Sequence, residues 1–252
     1  MNTKLIRHKF EKSMATYDKN AYAQKEIAEK LHRILLAVYP YPPDSLFEIG
    51  CGTGLLTKKL LLSYPAARYF VNDMNEKVAS LLPAVFEQTD YSFLPGDAQQ
   101  IDYPEETDLI VSSSVIQWFT DLPLFARKAA ESLSTKGYMF LSTFGCNNLK
   151  EIKEITHTGL HYPTVHALKN IFSVHFEIMD ISEEEILLPF NSPSDILKHL
   201  RDTGVNAASK GVLRTRSEMQ HFTDTYKSLY SHGDGVRLTY HPIYLTLKKK
   251  ER

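Results

Sequence analysis

The residues best suited to chemistry begin with a turn of three alternating glycines. Gly50, Gly52 and Gly54 follow the apolar run Phe47–Ile49, and a leucine-rich segment comes after them. This order predicts a strand, a tight turn and a helix. Glycines let the backbone approach a ligand, and a helix start offers unpaired N–H groups. The turn therefore predicts a ligand site. A dinucleotide fingerprint would need glycine at Leu55, which argues against a nicotinamide dehydrogenase.

Asp73 is the second candidate, since it follows the next predicted strand. It lies about 20 residues beyond the glycines, the separation at which a carboxylate can accept hydrogen bonds from a ribose diol. The alternative is a helix cap for the segment that starts at Asn75. Met74 beside it would lie along an adenine ring or simply pack in the core.

Two further strand ends carry polar residues. In the turn after the third strand, Asp97 could accept the exocyclic amine of a base while the Ala98 N–H donates to a ring nitrogen; the alternative for Asp97 is a turn aspartate. After the fourth strand, the hydroxyl of Ser113 could hold a charged amino-acid group. We expect the single tryptophan nearby, Trp118, to be a core or lid contact.

Strand and helix patterns alternate through the first part of the chain. Helical spacing covers 4–39, although 10–20 is less regular and could lie over a site. The predicted strands are 45–49, 69–72, 92–94, 108–112 and 137–144, and the predicted helices between them are 54–63, 75–85 and 122–134. Strands separated by helices favour a doubly wound α/β fold with a mostly parallel sheet. Beyond it we expect helices at 148–157, 163–172, 195–203 and 212–231, extended chain at 176–189 and a last, antiparallel strand at 237–247.

Composition excludes several classes of protein. The chain has 252 residues, 43% of them apolar, with a formal net charge of −1 at pH 7. No global field therefore draws it to nucleic acid or to an anionic membrane. Its two cysteines have neither metal-ligand spacing nor a disulfide framework, so we expect no metal site and a cytoplasmic location.

Taken together, these motifs resemble the class I methyltransferases that use S-adenosylmethionine. The resemblance rests on Glu48-x-Gly50-x-Gly52-x-Gly54, Asp73, Gly96-Asp97-Ala98 and Ser112-Ser113 followed by Gln117-Trp118. It implies a seven-stranded, Rossmann-like sheet with an antiparallel last strand and a helical lid. It also implies cofactor contacts from Glu48, Gly50, Cys51, Gly52, Asp73, Met74, Asp97, Ala98 and Ser113.

A narrower resemblance covers nearly the whole chain. Tyr17-Asp18-x-x-Ala21-x-x-Gln24, Ser142-Thr143-Phe144-Gly145, Thr203-Gly204-Val205-Asn206-Ala207 and Leu238-Thr239-Tyr240-His241 resemble the malonyl-ACP O-methyltransferases of biotin synthesis. That family methylates the free carboxylate of a malonyl thioester, on acyl carrier protein or coenzyme A, to make a primer for pimelate. Relatives usually carry Ser-Asn where this chain has Ser112-Ser113.

The resemblance implies one domain over 1–252. Helices at 1–44 would partly cap the site, 45–145 would bind the cofactor, 146–236 would hold the remaining core and the substrate lid, and 237–247 would be the last strand. The alternatives are a methyltransferase for another small carboxylate or amine, and a non-catalytic nucleotide-binding module.

A malonyl carboxylate is already ionised at neutral pH, so the reaction needs donors that orient it and no general base. Tyr17 would orient the carboxylate or close the pocket; the alternative is an aromatic residue on a helix face. Arg214 and Arg216 resemble family arginines, with Arg216 the closer match, which implies that they orient the carboxylate; the alternative is surface arginines. Because the carrier protein is acidic, basic residues near the pocket mouth would dock it. The candidates are Lys150, Lys153, Lys198, Arg201 and Lys210.

Overall fold

The computed structural model describes residues 3–65, 67–205 and 215–251, with side chains from Ile6 onward. The helices are α1 Thr3–Asn20, α2 Tyr22–Val38, α3 Thr57–Ser63, α4 Leu82–Phe86, α5 Leu122–Ser132, α6 Lys150–Thr156, α7 Val165–Phe172, α8 Pro193–Asp202 and α9 Arg216–Tyr230. The strands are β1 Ser45–Ile49, β2 Arg68–Asp73, β3 Tyr91–Pro95, β4 Thr107–Ser113, β5 Leu133–Phe144, β6 Phe176–Glu183, β7 Ile186–Phe190, β8 Ser231–His232, β9 Gly235–Tyr240 and β10 Pro242–Lys249.

The main sheet confirms the predicted fold class. Its seven strands run in the order β3-β2-β1-β4-β5-β10-β6. The first five strands in this order pair in parallel, whereas β10 pairs antiparallel with β5 and with β6. The chain order reverses between β1 and β4, and ligands of open α/β sheets bind at such a reversal, beyond the carboxyl ends of the strands.

Helices cover both faces of this sheet. The apolar face of α2 carries Ile27, Leu31 and Leu35, which are fully buried against β4, β5 and β10. The helix ends at Val38 because the prolines of 40–43 cannot continue it. On the opposite face α5 and α7 pack on each other and on β5 and β6 respectively. The predicted helix before the sheet is confirmed.

The segment 10–20, the less regular part of the predicted helical region 4–39, belongs to the continuous helix α1. One detail of the sequence-based expectation is wrong. The segment 75–85 was expected to be one helix, but it forms a 3₁₀ turn at Glu76–Ser80 followed by the short α4. Pro83 occupies the first turn of α4, where a missing N–H costs nothing, so it separates the two pieces.

The expected last strand is also split. β9 leaves the main sheet and pairs with β7 and β8 in a separate three-stranded sheet, and only β10 completes the main one. His241 forms the corner between them: its N–H donates to Asn148 Oδ1 at 3.1 Å, and its carbonyl accepts from the Gly145 N–H at 2.8 Å. The extended segment 176–189 is divided likewise, with β6 in one sheet and β7 in the other.

A buried carboxylate attaches α6 to β9. Glu151 is fully buried; its Oε2 accepts from the Thr239 N–H at 3.1 Å and its Oε1 accepts from the Thr239 hydroxyl. The two elements come from distant parts of the chain and are in contact. This pair therefore fixes where the second sheet lies.

Replacing Glu151 by alanine should destabilise the protein by about 2–4 kcal/mol, because two buried donors on Thr239 lose their acceptors. Urea unfolding followed by circular dichroism measures the change. Glu105→Ala, on an exposed loop residue, is the control and should shift stability by less than about 0.5 kcal/mol. Equal midpoints for the two variants would show that the buried pair does not support the fold.

Candidate functional site

The glycine turn lies between β1 and α3, at the carboxyl end of the central strand. Gly50, Gly52 and Gly54 have φ values of +73°, +53° and +84°, a region that residues with a Cβ rarely adopt. A Cβ on Gly50 would lie 2.3 Å from a methyl carbon of Val115, whereas one on Gly52 would meet nothing within 4 Å. The turn is thus packed tightly against Val115 at Gly50, whereas there is free space beside Gly52.

The open side faces a cavity that gathers all of the predicted cofactor residues. Its walls include Glu48, Gly50, Cys51, Gly52, Asp73, Met74, Asp97, Ala98 and Ser113. Tyr17 lines the same cavity. We call this space the cofactor cavity. The sequence missed several of its wall residues, among them Phe10, Met14, Asn75 and Ser114.

Asp73 binds the glycine turn directly. Its Oδ2 accepts from the Gly52 N–H at 2.9 Å, and its Oδ1 accepts from the Asn75 N–H at 2.8 Å. The cap of the following 3₁₀ turn is Asn75 itself, whose side chain accepts from the Lys77 N–H. Asn75 is thus the cap, and Asp73 binds the N–H of this capping residue. Burial raises the pKa of Asp73, and its two N–H donors partly offset the rise.

Glu48 has the least exposed side chain of the acids that line the cavity. It is 2% exposed, and its Oε2 has no hydrogen-bond partner among the described residues. Burial raises the pKa of Glu48 to about 8; the nearby Thr57 hydroxyl opposes this rise and the charge of Asp73 adds to it. A buried carboxyl with a free oxygen favours a ligand that brings positive charge or hydrogen-bond donors.

The third and fourth strand ends form the remaining wall. Asp97 Oδ1 accepts from the Gln99 N–H at 3.0 Å, so it has the turn role while also lining the cavity. The Ser142 hydroxyl donates to Ser113 Oγ at 3.0 Å and accepts from the Ser114 N–H at 3.1 Å. Ser114 has a φ of +60°. Its buried hydroxyl has no partner in the described part of the chain.

Helix α1 closes the cavity from the other side. The Thr53 hydroxyl donates to Asp18 at 2.5 Å, and the Asn75 amide contacts the Met14 sulfur at 3.0 Å. Glu11 pairs with Lys77 at 3.0 Å. These contacts bind α1 to the glycine turn and to the segment after β2. The helical spacing over 4–39 carried no signal for these partners across the cavity.

Comparison with known proteins identifies the fold and the family. The methyltransferase domain family matches residues 19–175. A malonyl-[acyl-carrier protein] O-methyltransferase of Bacteroides thetaiotaomicron is 36% identical over the full length of both chains. One of Acinetobacter baylyi is 34% identical over 99% of this chain and 98% of that protein. The chain belongs to the malonyl-[acyl-carrier protein] O-methyltransferase family.

Solved structures of other methyltransferases share the fold at low identity. The N-methyltransferase NodS of Bradyrhizobium japonicum, in complex with S-adenosyl-L-homocysteine, has a TM-score of 0.55 at 13% identity and covers 94% of this chain and 99% of its own. An S-adenosylmethionine-dependent methyltransferase of Mesorhizobium loti has a TM-score of 0.55 at 16% identity, over 86% and 96% of the two chains.

S-adenosylmethionine is the cofactor of this family member, and the cavity fits it. As predicted contacts, Asp73 would accept the ribose hydroxyls, Met74, Asp97 and Ala98 would hold the adenine, and the glycine turn, Glu48 and Ser113 would face the methionine moiety. The free Glu48 Oε2 and the open space at Gly52 are the observations that support this fit. When bound, S-adenosylmethionine supplies a methyl group on a positively charged sulfur that leaves as a neutral thioether.

Arg216 is exposed at the first turn of α9 and lines neither the cofactor cavity nor the smaller cavity beside it. Its contact with the acceptor carboxylate stays a prediction; α9 packs on α6, α8 and β9. Arg214 lies outside the described residues.

No described group of three or more His, Cys, Asp or Glu side chains could hold a metal ion. None of the helices within the described ranges is long and apolar enough to cross a membrane. The two cysteines are free, Cys51 in the cavity wall and Cys146 at the surface.

Cofactor binding should release a proton near pH 7. The raised pKa keeps Glu48 protonated in the free protein, and the positive charge of S-adenosylmethionine favours its ionised form, so the pKa falls on binding. Affinity should therefore rise with pH up to about pH 8, by at most about tenfold per unit. Calorimetry in two buffers of different ionisation enthalpy measures the released proton.

Glu48→Gln should remove most of this proton release and weaken binding, while Glu105→Gln, remote from the cavity, should leave both unchanged. If Glu48→Gln released as many protons as the unaltered protein, the assignment of the titrating group to Glu48 would be wrong.

Proposed function

We propose that this chain transfers a methyl group from S-adenosylmethionine to the free carboxylate of a malonyl thioester, carried by acyl carrier protein or coenzyme A. The observation that carries the proposal is the full-length likeness to malonyl-[acyl-carrier protein] O-methyltransferases together with the predicted cofactor residues around one cavity. The methyl ester would mask the charge of the malonyl group, so that fatty-acid enzymes accept it as a primer for pimelate and biotin synthesis. We assign the reaction to the cytoplasm.

The cavity wall suits an acceptor that is already a nucleophile. The residues described as lining the cofactor cavity include no histidine and no lysine that could act as a general base. A carboxyl with an ordinary pKa of about 4 is ionised at pH 7 and needs none. What the protein contributes is orientation and exclusion of water, and α1 closes the cavity for that purpose.

Tyr17 is the donor that we assign to the acceptor carboxylate. Burial raises its pKa far above the ordinary value, and the neighbouring charges of Asp18 and Asp73 raise it further. The phenol therefore keeps its proton at neutral pH and can donate a hydrogen bond without carrying charge. A neutral donor orients a carboxylate while leaving more of its charge for attack than a cation would.

The substrate assignment is tested by methyl-transfer assays on malonyl-ACP, malonyl-CoA and free malonate. We expect turnover of at least one malonyl thioester and much slower turnover of malonate, and the expressed chain should restore growth of a biotin auxotroph that lacks this step. Turnover of malonate alone would refute the thioester assignment and leave the family unchanged.

The same assay tests carrier-protein docking by its salt dependence. Lys153 and Lys198 are exposed, whereas Lys150 pairs with Glu185 at 3.0 Å and Arg201 with Asp202 at 3.6 Å. Lys210 lies outside the described residues. If exposed cations hold an acidic carrier, added salt should raise KM for malonyl-ACP more than for malonyl-CoA. Equal salt responses would argue against docking by these residues.

Tyr17→Phe should lower kcat/KM for the malonyl thioester by about 10- to 100-fold, the range expected when a hydrogen bond to a charged group is lost. Affinity for S-adenosylmethionine, measured by calorimetry, should stay nearly unchanged. Tyr22→Phe, on an exposed tyrosine at the start of α2, is the matched control.

Arg216→Ala is the companion variant. From its exposed position we expect a smaller loss of methyl transfer, again with cofactor affinity intact. Loss of cofactor binding in either variant would contradict a role confined to the acceptor.

A further inference from the structure

A second, smaller cavity adjoins the cofactor cavity. Its walls include Gln117, Phe144, Asn148, Tyr162, Thr203 and Tyr240. We call it the inner chamber. Three residues line both spaces and so form the boundary between them: Phe10, Tyr17 and Trp118. An acceptor group in the inner chamber would reach the cofactor across this boundary.

The inner chamber has no charged side chain among its described wall residues. Most of its polar groups already have partners. Tyr240 OH contacts His199 Nε2 at 2.8 Å, and the Thr203 hydroxyl donates to the His199 carbonyl at 2.8 Å. Burial lowers the pKa of His199 to about 4, so the ring behind Tyr240 is neutral at pH 7. Asn148 Oδ1 accepts from the His241 N–H.

Trp118 carries a donor of this wall that lacks a partner. Its Nε1–H is buried and has no hydrogen-bond partner within the described chain. The indole is fixed by the 3₁₀ turn Ile116–Trp118 and by an edge contact with Phe10, whose ring centre lies 5.9 Å away at 90°. A buried donor without a partner is costly, and at a binding site it points to a ligand that supplies the acceptor.

The boundary thus presents two donors and no cation: the Tyr17 hydroxyl and the Trp118 N–H. The inner chamber also adjoins an outer cleft, with which it shares Asn148, Leu160, Tyr162 and Val205. The outer cleft reaches the exposed Lys153. A tethered acceptor can therefore have its free end at the boundary and its tether directed to the surface.

We propose that the indole N–H of Trp118 is a positioning donor for the acceptor carboxylate, acting with Tyr17 at the boundary between the cofactor cavity and the inner chamber. This inference rests on the proposed function. It gives a further role to Trp118, which was expected from sequence to be a core or lid contact. Uncharged donors can fix the orientation of the carboxylate, and they leave more of its negative charge available for attack than a cation would.

The single tryptophan makes a direct test possible. A uniformly ¹⁵N-labelled sample has one indole cross-peak, which reports on Trp118 alone. With S-adenosyl-L-homocysteine at saturation, malonyl-CoA should move the indole proton downfield, as a new hydrogen bond to a carboxylate does. Acetyl-CoA, which has the same tether and no carboxylate, should not. No shift at saturating malonyl-CoA, or an equal shift with acetyl-CoA, would overturn the proposal.

Kinetics supply the second measurement. Trp118→Phe keeps an aromatic ring and removes the N–H, and we expect kcat/KM for the malonyl thioester to fall about 10- to 100-fold, while affinity for S-adenosyl-L-homocysteine stays within about twofold. Tyr138→Phe is the control, since Tyr138 packs on Tyr39 outside both cavities.

The possible failures are distinguishable. If the unaltered protein is active and Trp118→Phe matches it, the role of Trp118 is refuted while the proposed function stands. If the unaltered protein methylates no malonyl thioester, the proposed function and the role of Trp118 are both refuted.

Discussion

The attachment of the glycine turn to the end of β2 is the constraint on which the site depends. The Gly50 and Cys51 N–H groups both donate to the Asn72 carbonyl, at 2.8 and 2.9 Å, and the Gly52 N–H donates to Asp73. The turn can adopt its left-handed backbone only with glycine, and its next neighbour, Val115, leaves no room for a Cβ at Gly50. These few contacts therefore fix the position of the glycine turn relative to β2 and to the segment that follows β4.

That geometry explains which features could be predicted from sequence. The nine predicted cofactor residues each lie at or just beyond a strand end, and parallel strands bring their carboxyl ends to one edge. Local patterns together with the family resemblance were therefore sufficient to select residues that line one cavity. The fold class was accessible for the same reason: alternating strands and helices admit few topologies.

Features that depend on distant partners were not accessible. The alternation over 237–247 indicates extended chain but does not show that His241 turns the chain from one sheet into another, since that corner depends on Asn148 and Gly145. Arg216 matched a family position, yet its place at the exposed start of α9 follows from how that helix packs. The sequence predicts a core or lid contact for Trp118, because only the three-dimensional structure shows that its indole N–H lacks a hydrogen-bond partner.

The neutral boundary between the two cavities has a consequence for turnover. If Tyr17 and Trp118 hold the acceptor as proposed, its carboxylate accepts charge-assisted hydrogen bonds from them, whereas the ester that replaces it is an uncharged and weaker acceptor. Because methylation removes this charge, the ester product would bind the two donors more weakly than the acceptor does. An arginine there would also lose its partner, but it would remain as a buried, unpaired cation. A wall of uncharged donors avoids that state, so the reaction itself favours product release.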